Sequence, residues 1–96
     1  MSSNEIINTL KAEKPLLSAQ FGVEEIGVFG SSLNANFSDD SDIDIIVTLR
    51  NIDYSAFAGL QIYLENKFKR KIDLIRKGKH LSAKFYNSIQ NQIVYA

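Results

Sequence analysis

Ninety-six residues at 10.8 kDa set an upper limit of one domain, and 31 of them are Leu, Ile, Val or Phe, which excludes a disordered chain. The lack of cysteine excludes a disulfide framework, a thiol nucleophile and a thiolate zinc site, and a lone histidine, His80, leaves no histidine-rich metal centre. Net charge is zero but divided: residues 1–65 hold three basic and ten acidic side chains, residues 66–96 eight basic and one acidic. Solvated helix faces produce such asymmetry most often, and an acidic ion-binding site set against a basic partner-binding surface is the sharper alternative. Apolar runs stop at four or five residues, too short to span a bilayer, and the first residues are polar, so the expected location is cytoplasmic.

In chain order, Ile6, Ile7, Leu10, Leu17 and Phe21 fall near helical spacing over residues 3–21, with Ser3 or Asn4 as cap and Gly22 suited to the stop. Pro15 inside this stretch is expected to kink or split the helix. Glu25 to Phe29 is short and apolar and ends at Gly30, which reads as a buried strand running into a tight turn. Polar, turn-rich residues follow from Asn34 to Ser41, around Phe37. Ile43, Ile45, Ile46, Val47 and Leu49 then give the β-branched run of a central strand. Asp53 caps a second helix with Phe57, Leu60, Leu64 and Phe68 on one stripe, closing in Lys67, Lys69, Arg70 and Lys71, whose charge suits a helix C-terminus. Ile72 to Ile75 reads as a third strand, Leu81, Phe85 and Ile89 mark a third helix, and Ile93 to Tyr95 form an edge strand or a docked end. The expected fold is α/β, of the α+β kind: one domain over residues 1–96 with a small mixed sheet covered by helices. The direction in which the first strand pairs with the second stays open.

The chemistry concentrates in residues 29–47, FGSSLNANFSDDSDIDIIV. Asp42 and Asp44 flank Ile43 at a strand entry, and alternation puts both carboxylates on one face, roughly 6 to 7 Å apart. Two anions so placed repel each other unless a cation compensates them, and hard oxygen donors without histidine or cysteine select Mg²⁺, or Mn²⁺ in its place. The plainer reading is a solvated strand entry, since Asp-x-Asp alone is common. Gly30, Ser31 and Ser32 shift the balance, because a strand that stops at glycine and restarts with serines offers backbone N–H groups and hydroxyls at a helix start, a cradle for phosphate oxygens.

This arrangement resembles the signature of the nucleotidyltransferases of the DNA polymerase beta superfamily. The short chain resembles its minimal nucleotidyltransferase (MNT) group, whose members are often encoded beside HEPN-domain proteins as toxin–antitoxin pairs. A leading helix, Gly30-Ser31, Asp42-Ile43-Asp44, a second helix, a carboxylate within Lys71-Ile72-Asp73-Leu74-Ile75 and a final helix follow the family's order over nearly the whole chain. The resemblance implies nucleotide binding at Gly30, Ser31 and Ser32. It also implies two metal ions, held by Asp42 and Asp44 with Asp73 completing the set, and Asp73 helping an acceptor hydroxyl lose its proton. Where many relatives carry arginines two and four positions past the family glycine and another glycine at five, this chain has Ser32, Asn34 and Ala35. Phosphate binding is then left to metal, backbone N–H groups and Arg76, Lys77 or Lys79.

By this resemblance the chain is a Mg-dependent enzyme that moves NMP, AMP from ATP in the first instance, onto a hydroxyl of a HEPN-domain partner, and acts as its antitoxin. Two readings stand beside it: an inactive module of the same fold that neutralises a partner by contact, and a nucleotidyltransferase acting on a small molecule. A membrane is not expected as partner, nor is nucleic acid, given the neutral net charge. Self-association is left open. His80, among Lys77, Gly78 and Lys79, reads as a surface side chain, and the four tyrosines read mostly as packing residues.

Overall fold

The computed structural model describes residues 2–33, 42–51, 53–78 and 81–96, with the Ser31 side chain outside that set. The turn-rich segment expected over residues 34–41, together with Lys79 and His80, falls outside the described residues.

Helix α1 (Ser3–Phe21) begins one residue earlier than the sequence suggests, because Ser2 is the cap. The Ser2 hydroxyl accepts the Glu5 N–H at 3.2 Å, satisfying one of the orphan donors of the first turn. Gly22, in the left-handed region at φ 71°, ends the helix by donating its N–H to the Leu17 and Ser18 carbonyls. The split expected at Pro15 does not occur, and one helix runs through it. Ile6, Leu10 and Leu17 are all fully buried. A single apolar stripe spanning both sides of the proline therefore holds the two halves on one surface, at about 2 kcal/mol per buried side chain, and outweighs one missing N–H.

Strand β1 (Val23–Phe29) starts two residues before Glu25, where the sequence places it. Val23 is buried while Glu24 and Glu25 are exposed, and the pairing register shifts between Val23 and Glu25. A bulge lets two charged residues reach solvent without ending the strand. A 3₁₀ turn (Gly30–Leu33) follows in place of an expected helix start. Strand β2 (Ile43–Leu49) pairs antiparallel with β1, which settles the direction left open.

Helix α2 (Tyr54–Phe68) is capped by Asp53, whose carboxylate accepts the Ser55 and Ala56 N–H groups. It carries the chain back so that β3 (Ile72–Arg76) runs parallel to β2, as a parallel pair requires a crossover. Helix α3 (Ala83–Ile89) is capped by Ser82, and β4 (Val94–Tyr95) adds antiparallel to the free side of β1. The sheet order is β3-β2-β1-β4.

Alternation divides the sheet into two faces. Ile43, Ile45 and Val47 of β2 join Ile26, Val28 and Ile72 under α1 and α2, with Leu10, Leu60 and Leu64 among the buried side chains there. Ile46, Phe29 and Ile89 form a smaller cluster on the opposite face, with Ile75, Leu81 and Tyr86 packed against it. Among the described residues, two long helices cover the first face and short α3 covers the second. None of the described helices is long and apolar enough to cross a membrane.

Candidate functional site

Asp44 alternates with Ile45 and so lies on the less covered face, beside Ile46. Its neighbour on β1 is Phe29, the last residue of that strand. The turn that follows closes directly on Asp44. Gly30 adopts φ 69°, a region that disfavours every residue with a Cβ. A Cβ at Gly30 would lie 2.5 Å from the Asp44 Oδ2 atom, so the glycine is required both by its backbone conformation and by the approach of the carboxylate. Ser32 is fully buried, and its Oγ accepts the Asp44 backbone N–H at 3.0 Å. Of the three residues assigned to nucleotide binding from sequence, Gly30 thus faces the carboxylate and Ser32 turns inward, while the Ser31 side chain lies outside the described residues.

On the other side, Asp44 is in register with Asp73 across the parallel β2–β3 pair. Parallel neighbours stand about 4.8 Å apart, and register partners point to the same face, so the two carboxylates are side by side. The Ile43 N–H donates to the Lys71 carbonyl at 3.1 Å and fixes this register at its start. Two side chains of α2 hold the outer edge of β3 at the same level. Gln61 Nε2 donates to the Ile72 carbonyl at 3.1 Å, and Glu65 Oε2 accepts the Ile72 N–H at 3.2 Å. Neither residue stands out from sequence, although their i, i+4 spacing on a helix that leads into the strand is the signal that puts both within reach.

Asp42 immediately precedes β2, and its Oδ2 lies 3.9 Å from Lys71 Nζ, an exposed ion pair. Asp42 and Lys71 each lie one residue before the Ile43–Ile72 pair, which brings their side chains together. The Ile43–Lys71 hydrogen bond draws the two chains together at this point. Among the described residues, no group of three or more His, Cys, Asp or Glu side chains converges closely enough to hold a metal ion as the side chains stand. The donor set nevertheless fits a hard divalent cation in kind. It consists of carboxylate oxygens alone, two of them in strand register, against a glycine that leaves the backbone bare.

The basic residues offered for phosphate binding are placed differently. Lys77 Nζ sits 5.0 Å from the centre of the Tyr86 ring, and the hydrogen bond to Tyr86 is the main cause that raises its pKa. Arg76 lines a groove of about 420 Å³ along the outer side of β3, with Asp53, Tyr54, Phe57, Ile75 and Leu81. None of Gly30, Asp42, Asp44 or Asp73 lines that groove. Tyr54, expected to pack, is instead 80% exposed at the start of α2.

Three comparisons bear on this geometry. Residues 4–95 match the family described as polymerase beta, nucleotidyltransferase. The chain is 35% identical over 96 residues to the protein adenylyltransferase MntA of Thermococcus cleftensis, covering 99% of this chain and 96% of that one. It is 32% identical over 93 residues to a Methanocaldococcus jannaschii protein also named as a protein adenylyltransferase, covering 96% of this chain and 95% of the relative. Among solved structures, a minimal nucleotidyltransferase superposes with a TM-score of 0.80 at 21% identity over 98% of this chain and 95% of that one. A structure of the toxin–antitoxin pair MntA–HpeT superposes with a TM-score of 0.67 at 22% identity, covering 99% of this chain and 72% of that one.

Proposed function

The chain belongs to the polymerase beta nucleotidyltransferase family and is a nucleotidyltransferase, and from that premise we propose that it transfers AMP from ATP to a hydroxyl of a partner protein. Asp42, Asp44 and Asp73 would hold Mg²⁺, with Mn²⁺ as a substitute. The turn at Gly30 and Ser31 would meet the phosphates. The observation that carries this reading is the register of Asp44 with Asp73 beside a glycine whose missing side chain leaves space only for the Asp44 carboxylate.

When bound, the divalent cation supplies positive charge to phosphate oxygens and to the attacking oxygen. The chain's own residues do the rest. Gly30 lets the turn close on the Asp44 carboxylate without a Cβ between them. Asp44 and Asp73, on adjacent strands of a hydrogen-bonded sheet, keep a fixed separation that a loop would not enforce. An exposed carboxylate oxygen of Asp73 accepts the proton of the acceptor hydroxyl. The hydroxyl oxygen then bonds to the α-phosphorus, and the bond from that phosphorus to the bridging oxygen breaks, releasing pyrophosphate.

The absence of arginine at Ser32 and Asn34 leaves the phosphates fewer charge-assisted partners, so turnover is expected to be slow. The resemblance of the chain to MntA, and the pairing of MntA with HpeT in a solved toxin–antitoxin complex, support a protein acceptor and an antitoxin role; in this reading the acceptor would be a HEPN-domain protein and the location the cytoplasm. The test is ATP labelled at the α-phosphate, incubated with Mg²⁺, this protein and the product of the neighbouring gene. The expected result is label retained on the partner and lost with Asp42→Asn/Asp44→Asn. Stable binding between the two proteins without any label transfer would overturn the reading in favour of neutralisation by contact.

A further inference from the structure

Ser32 is the one buried polar residue among the described residues, at 0% exposure. A hydroxyl withdrawn from water is a cost unless it is hydrogen-bonded. Its partner here is the Asp44 backbone N–H, 12 residues away in sequence and at 3.0 Å. This bond joins the turn to the strand, and it falls on the residue whose carboxylate touches Gly30. Asp44 is therefore gripped twice by the same short turn. Its carboxylate takes the place that a Cβ at Gly30 would need, and the hydroxyl of Ser32 accepts its N–H.

The geometry has a directional consequence. The Ile43 N–H is committed to the Lys71 carbonyl at 3.1 Å on one side of β2, and the Asp44 N–H is committed to Ser32 on the other. These two bonds hold the successive peptide planes on either side of Ile43, and with them the backbone from which the Asp44 side chain leaves. The carboxylate is then presented between Gly30 and Asp73. With the hydroxyl deleted, the Asp44 N–H loses an acceptor in a partly buried place, and rotation of its peptide plane toward another acceptor moves the carboxylate with it.

We propose that Ser32 is a positioning residue for the metal and nucleotide site, acting through Asp44 and not as a ligand of phosphate. The proposal rests on the reading of Gly30, Asp44 and Asp73 as that site. It also gives a physical account of the residue type. An arginine at this position would reach outward to phosphate, whereas the serine is short enough to turn inward and fill a buried space with a single acceptor.

The test measures binding as well as activity. Mn²⁺ is titrated by electron paramagnetic resonance into the protein with a non-hydrolysable ATP analogue, for wild type, Ser32→Ala, Ser32→Cys, Ser32→Thr and Asp44→Asn, each checked for native fold by circular dichroism. Hydrogen exchange of the Asp44 amide is followed in the same set. The expected result is affinity reduced about tenfold in Ser32→Ala and Ser32→Cys, with faster exchange at Asp44, and affinity within about threefold of wild type in Ser32→Thr, which keeps the hydroxyl. If Ser32→Ala fails to fold, Ser32→Cys decides, since its thiol fills the space but is a poor acceptor. Folded Ser32→Ala or Ser32→Cys protein that binds Mn²⁺ and analogue as wild type does, while Asp44→Asn loses them, overturns the positioning role and leaves Ser32 a packing residue. Wild-type protein that binds neither overturns the nucleotide reading itself and the proposal with it.

Discussion

A single missing side chain does two things at Gly30. It permits φ 69°, and it leaves the 2.5 Å approach of a Cβ to Asp44 Oδ2 unrealised. Gly30→Ala is expected to cost about 1–3 kcal/mol of stability through backbone strain. Its larger effect is on function, because the easiest relief of the contact is displacement of the Asp44 carboxylate, and transfer activity should fall at least about tenfold. A melting curve and a label-transfer assay on the same variant separate the two effects. Retained activity with lowered stability would show that the turn matters only to folding. The place of Gly30 at the end of a strand, and of Asp42 and Asp44 at the start of the next, is legible in the sequence, whereas Asp73 stands out there only through the family resemblance. The inward turn of Ser32 is not legible, because nothing in a serine's local sequence tells whether its hydroxyl meets solvent or an N–H 12 residues ahead.

At the scale of elements, α1 and α2 are joined by more than apolar packing. Glu13 accepts the Tyr63 hydroxyl at 2.7 Å and pairs with Lys67 Nζ at 2.7 Å. The hydrogen bond from Lys67, and then that from Tyr63, hold the Glu13 carboxyl below its ordinary value of 4.5. A depressed carboxyl contributes stability above its unfolded pKa. That contribution is lost as pH falls below about 4.5 and on through the folded value. Glu13→Gln should therefore destabilise the protein at neutral pH by about 1 kcal/mol or less, given solvent screening of a surface pair, and should flatten the loss of stability on acidification below that point. Thermal melts between pH 7 and pH 3 check both. Equal pH slopes in wild type and variant would remove Glu13 from the account. This link was invisible in the sequence because its partners lie 50 residues apart, on helices whose mutual rotation is set by the core. The helices themselves were legible from their stripes of Leu and Ile, as was the order of the elements. The unbroken passage of α1 through Pro15 was not, since burial of Leu17 decides it only once the sheet is present.

Over the whole molecule, the two sheet faces differ in depth. The face under α1 and α2 holds a cluster running from Ile6 to Ile72, whereas α3 buries only Ile89 and reaches Phe29 through the edge of Phe85, ring centres 6.4 Å apart. The two carboxylates in register lie on this thinner face, away from the main core. Helix α3 should open well before the central strands. Native-state hydrogen exchange is expected to show its amides exchanging at lower free energy than those of Ile45 and Ile46, and uniform protection of both would contradict the two-depth picture. The division into an acidic first part and a basic last part, plain in the sequence, does not predict this difference, which follows from how many helices the topology delivers to each side. The central claim is that Asp44 and Asp73, brought into register on adjacent strands beside Gly30, form a metal-dependent nucleotide site. Calorimetric titration of ATP into the free protein, with Mg²⁺ present or chelated, tests it most directly. The account predicts saturable binding that requires Mg²⁺ and is weakened at least about tenfold by Asp44→Asn and by Asp73→Asn. ATP binding of equal strength without Mg²⁺, or unchanged in both variants, would contradict it.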